Sequence, residues 1–131
     1  MKPLAYFAAW ILIVFGVFAV VLNVARSTER VFVVVDSSFP MAAVWNQVPG
    51  ALADVDSASY SEYALATEKA LVHSWQDHLT LGATTPFAPC SFEGIEDHTE
   101  VGQANELILI TTAASCSTDH LLEWRVIFLD P

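Results

Sequence analysis

Val31-Phe32-Val33-Val34-Val35-Asp36-Ser37-Ser38 is the segment on which the fold turns. Five apolar residues follow one another, four of them valine, with no polar residue between them. A strand with one wet face would alternate, so an unbroken β-branched run implies burial on both faces. Such strands sit inside mostly parallel sheets covered on either side, and they place the domain in the α/β class. Asp36-Ser37-Ser38 closes the strand with residues that turn and cap the chain.

Downstream, Met41, Val44, Trp45, Val48, Leu52 and Val55 recur at helical spacing. Ser37 or Ser38 is placed to cap that helix, Pro40 suits its first turn, and Pro49-Gly50 should kink or break it. Residues 60–81 read two ways. Tyr63, Leu65 and Thr67 alternate with Glu62, Ala64 and Ala66 as in a strand, and Val72 to Leu79 would be the hairpin partner across a turn at Glu68 to Leu71. The same segment is rich in helix formers, and Ser59-x-x-Glu62 resembles a capping box. The hairpin is the favoured reading. Pro86, Pro89, Gly94 and Gly102 mark 82–103 as loop, with room for a short helix. Glu106 to Thr111 is a second buried-type strand, and Trp124 to Leu129 a last one. The expected architecture is a small α/β domain of two or three layers with a mixed sheet.

Upstream, Leu4 to Val24 is an uncharged apolar run of 21 residues, long enough to cross a bilayer as a helix. Val17 and Ala19 can mimic a signal-cleavage motif, but the run is long for a signal core. Tyr6 and Trp10 stand where an aromatic belt would anchor. On a helical wheel Ala8, Ala9, Gly16, Ala19 and Asn23 fall within about 60° of Ala5 on either side, opposite Phe7, Ile11, Phe18 and Val21. Small residues on one stripe allow close approach of a second helix, and an asparagine can bond across it. The division is therefore a cytoplasmic tip and membrane helix at 1–25, a linker at 26–30 and a domain at 31–131.

From Val31 onward Lys69 and Arg125 stand against 14 Asp and Glu, a formal charge of −12. Nucleic acid is disfavoured as a partner, because phosphate neutralisation needs Lys and Arg. A basic partner such as a basic soluble protein, or a divalent cation, is the natural complement, and a solubility charge suited to a salty environment is the other reading. Lys2 on one side of the span against Arg26 and Arg30 on the other leaves the orientation undecided by charge. Cys90 and Cys116 are the only cysteines, without a C-x-x-C spacing or a zinc pattern among His73, His78, His98 and His120. They are expected to form a disulfide worth about 3 kcal/mol. That bond favours an oxidising compartment, with the amino terminus cytoplasmic and the domain periplasmic or extracellular.

A strand ending in Asp36-x-Ser38, then a helix, a hairpin, the Leu107-Ile108-Leu109-Ile110-Thr111 strand and a final apolar strand resembles a reduced von Willebrand factor type A domain. The resemblance covers the order of elements from Val31 to Leu129. It implies a ligand site at Asp36 and Ser38, which match the start of that family's D-x-S-x-S cation motif. Pro40 occupies the second serine position and Thr112 the place of the later aspartate, so two oxygen ligands are missing and no metal is expected. No G-x-S-x-G elbow surrounds a serine, no Gly-rich phosphate loop follows the first strand, and Asp36-Ser37-Ser38 lacks the second aspartate of a D-x-D phosphoryl-transfer site. The sequence thus points to a non-enzymatic, cofactor-free, single-pass protein of the plasma or inner membrane. It would be an accessory subunit of a larger assembly, for which electron-transport complexes offer an analogy. Its helix would contact an integral membrane partner. The alternative is a degenerate type A binding or adhesion module.

Overall fold

The computed structural model describes residues 2–25, 29–57 and 61–131. α1 (Lys2–Ala25) precedes β1 (Glu29–Val35), two 3-10 turns (Phe39–Ala43 and Trp45–Gln47) and α2 (Val48–Val55). β2 (Ser61–Thr67), β3 (Leu71–Gln76), a 3-10 turn at Ile95–Asp97, α3 (Thr99–Gln103), β4 (Glu106–Thr111) and β5 (Arg125–Phe128) complete the chain. The strands form one mixed sheet in the order β3-β2-β1-β4-β5. β1 is parallel to both β2 and β4, β4 is parallel to β5, and β3 runs antiparallel to β2.

Because successive side chains of a strand point to opposite faces, β1 supplies two cores at once. Val31, Val33 and Val35 join Tyr63, Leu65, Ile108 and Ile110 on one face, under Met41, Val44, Val48 and Leu52. Phe32 and Val34 join Ala64, Ala66 and Leu109 on the other, against Phe92, Ile95, Leu121 and Trp124. The result is three layers. The first face is roofed by the 3-10 turns and α2, the second mainly by the long loops on either side of β4. The aromatic roof of the second face needs depth, and Ala64 and Ala66 provide it by leaving the sheet thin there.

Several boundaries move relative to the sequence reading. The linker is shorter than 26–30, since Glu29 and Arg30 already pair with Ser61 and Glu62; Arg26, Ser27 and Thr28 lie outside the described residues. Pro49-Gly50 does not break the helix. The chain is 3-10 before it, and Pro49 stands in the first turn of α2, where a missing N–H costs nothing. Residues 61–76 are the hairpin, and Ser59 of the helical alternative lies outside the described residues. Burial decided this: Tyr63 to Thr67 are all buried, as a strand flanked on both faces requires. Trp124 precedes the last strand instead of starting it.

α1 is long and apolar enough to cross a membrane, and none of its apolar window is buried within the protein. It has the length and composition of a membrane anchor or a signal sequence.

Candidate functional site

The chain leaves β1 toward β2 on one side and later returns to place β4 on the other. That reversal makes a topological switch point at the carboxyl ends of β1 and β4, the place where open α/β sheets bind ligands. Each of the three central strands ends there in polar residues: Asp36-Ser37-Ser38, Thr67-Glu68 and Thr111-Thr112. All seven are buried.

Asp36 is at the centre and fully buried. Its Oδ1 accepts the Ser38 N–H at 2.9 Å, and its Oδ2 accepts the Thr111 hydroxyl at 2.7 Å. The Ser115 hydroxyl donates to the same Oδ2. Ser38 Oγ lies 3.2 Å from Ser115 Oγ, which links the end of β1 to the loop after β4. One residue along, Glu68 spends both carboxylate oxygens on Ser37, accepting its N–H at 2.7 Å and its hydroxyl at 2.8 Å. The carboxylates are thus solvated by the protein itself, which is what a buried charge requires.

The Cys90–Cys116 disulfide borders this cluster, with a Cα–Cα distance of 5.8 Å inside the ordinary range. Cys90 Sγ lies 2.9 Å from Ser115 Oγ. The bond ties the loop after β4 to the loop before α3, and so holds Ser115 over Asp36.

Asp36 and Ser38 are therefore brought together, but neither caps the following helix. Ser38 occupies the cap position without a side-chain bond to the helix, its hydroxyl being turned to Ser115. Pro40 lies in the 3-10 turn after Ser38, and Thr112 is buried at the end of β4. The sequence reading does not single out Ser37, Glu68, Thr111 and Ser115 as site residues; it gives Ser37 only as a helix cap, Glu68 as the start of a turn and Thr111 as the end of a strand. Three of them carried a signal, since polar residues end the buried strands β1, β2 and β4. Ser115 carried none, because only the fold of its loop delivers it.

Among the described residues no group of three His, Cys, Asp or Glu side chains is placed to hold a metal ion. The histidines lie elsewhere: His73 bonds Ser74 and Thr80, His78 faces Asp56, His98 packs against Phe32 with its ring tilted, and His120 lines an outer groove. The hydroxyls around Asp36 have no imidazole to activate them.

On α1, Ala5, Ala8, Ala9, Gly16 and Ala19 are exposed along the helix, and no side chain closes over Gly16. Asn23 belongs to the same helix, with its side chain outside the described residues. No known family, curated protein or solved structure matches the chain.

Proposed function

We propose that this protein is a non-catalytic accessory subunit of a larger membrane complex. Its helix packs against an integral membrane partner, and its acidic domain braces or steers proteins outside the membrane. One observation carries the reading: the apolar window of α1 is wholly uncovered by the protein's own fold, while the domain beside it is self-contained. The polar centre adds support, because Asp36 and Glu68 direct their oxygens to internal donors. The disulfide favours an extracytoplasmic domain and a cytoplasmic amino terminus. An electron-transport complex is a reasonable host by analogy alone. Purification of the full chain from its own membranes in mild detergent tests the proposal. A stoichiometric integral membrane partner is expected, and a chain that runs alone overturns the reading.

A second reading, a degenerate type A binding module, is favoured by the convergence of Asp36, Ser38, Thr111 and Ser115 at the switch point of the sheet. Calorimetry of the full chain in detergent with magnesium, calcium and manganese separates the two. Saturable heat that disappears in Asp36→Asn supports a cation-binding module, and its absence favours the accessory subunit.

A further inference from the structure

The sheet has two outer margins, and they differ. β3 meets β2 through two register shifts, between Tyr63 and Leu65 and between Leu65 and Ala66. Such irregularity twists an edge away from further pairing. β5 is regular, stepping in register with β4 from Ile108–Arg125 to Thr111–Phe128. Among the described residues nothing pairs with its outer side. The Leu129 N–H donates to the Thr111 carbonyl at 2.8 Å. Since backbone groups alternate sides along a strand, Arg125 and Ile127 also face β4. The N–H and C=O groups of Val126 and Phe128 are left pointing outward.

Beside this edge runs a groove of about 570 Å³ between α2 and β5, with Gly50, Ala51 and Val55 on the helix and Ile127 and Leu129 on the strand side. Gly50 opens onto free space where a side chain would begin. On the opposite face of the edge, Phe128 is exposed. A strand added to β5 would set alternate side chains into the groove and against Phe128.

Charge selects the occupant. Asp54 lines the groove, and Gln47 donates to the Asp130 carbonyl at 2.6 Å, which draws Asp130 to its mouth. The other lining charge, Arg125, is paired with Glu106 at 3.5 Å, which leaves the negative charge of Asp54 in excess. A second copy would bring another domain of the same strong negative charge, so a cationic partner is the better complement. We propose that the outer edge of β5 receives an extended, basic segment of a partner protein, which joins the sheet as a sixth strand. It seats small apolar side chains in the groove between α2 and β5. The proposal rests on the accessory-subunit reading for the source of the segment, not for the edge itself.

The test uses the full chain in non-ionic detergent micelles and a short synthetic peptide alternating Val and Lys, with one alternating Val and Glu as control. Saturable binding of the basic peptide is expected, together with slowed amide exchange at Val126 and Phe128. Phe128→Pro removes an outward N–H without deleting a bond to β4, and should weaken binding by about tenfold or more. Asp54→Lys should weaken it while leaving the edge intact, and it keeps the test decisive if the proline variant does not fold. Melting temperature and an intact disulfide report that each variant is native. Absent binding, equal binding of the acidic peptide, or protection that avoids β5 overturns the proposal. So does a dimer seen in sedimentation and lost in Phe128→Pro, which would make a second copy the occupant. If the basic peptide binds at β5 but the chain purifies alone from its membranes, the edge stands and the accessory-subunit reading fails.

Discussion

Asp36 combines full burial with hydrogen bonds from the Ser38 N–H and the hydroxyls of Thr111 and Ser115. Loss of an ordinary helix cap costs about 1 kcal/mol. Here the carboxylate instead joins β1 to β4 and to the loop beyond it. Asp36→Asn keeps the size but turns one acceptor into a donor facing two hydroxyls, so a loss of about 2 kcal/mol is expected in urea unfolding. Thr111→Val is the complementary probe. It removes one donor from a buried charge at nearly constant volume and should cost about 1–3 kcal/mol. The two changes should be less than additive, because they break the same bond. Strict additivity in the double variant would show that the Thr111–Asp36 bond contributes nothing.

At the scale of elements, the disulfide and α1 act on different parts of the molecule. Cys90 and Cys116 are separated by 26 residues, a span that includes α3 and β4. Replacing both by serine should lower stability by about 3 kcal/mol, measured against the oxidised protein by denaturant unfolding. The intact chain should weigh two hydrogens less before reduction than after. In α1, Gly16→Leu adds bulk on the small-residue stripe, while Phe18→Leu changes the opposite side. If the stripe is the packing face, only Gly16→Leu should weaken recovery of the membrane partner in mild detergent. Equal effects would mean that the helix has no preferred face.

At the scale of the whole molecule, one sheet serves two cores, and β1 contributes to both. Neither core can be lost while β1 stays in place, so the domain should unfold in a single transition. Trp45 packs on the face under α2, and Trp124 on the opposite face. Fluorescence from Trp45 alone and from Trp124 alone, with the other tryptophans changed to phenylalanine, should give the same urea midpoint as far-UV circular dichroism. Separated midpoints would mean that the loop-built roof over the second core melts by itself. Phe32→Ala should destabilise by about 3–5 kcal/mol, since Phe32 is fully buried in contact with Trp124 and His98.

The amino-acid sequence by itself determined the division into an apolar helix and an acidic α/β domain, because composition and unbroken apolar runs are local properties. β4 was legible residue for residue at Glu106 to Thr111, and the core of β1 at Val31 to Val35, since a strand buried on both faces leaves no polar interruption. The pairing of Cys90 with Cys116 followed from there being no other cysteine. Only the tertiary structure decided that 61–76 is a hairpin, because Ala, Leu and Glu suit either state and burial against β1 breaks the tie. It alone placed Pro49 in the first turn of α2 instead of at a break. The polar centre divides in the same way. Asp36 and Ser38 stood out locally, at the end of a strand. Thr111 and Ser115 reach them across 75 and 79 residues of chain, and Glu68 reaches Ser37 across 31, distances that the order of parallel strands closes and no local pattern encodes.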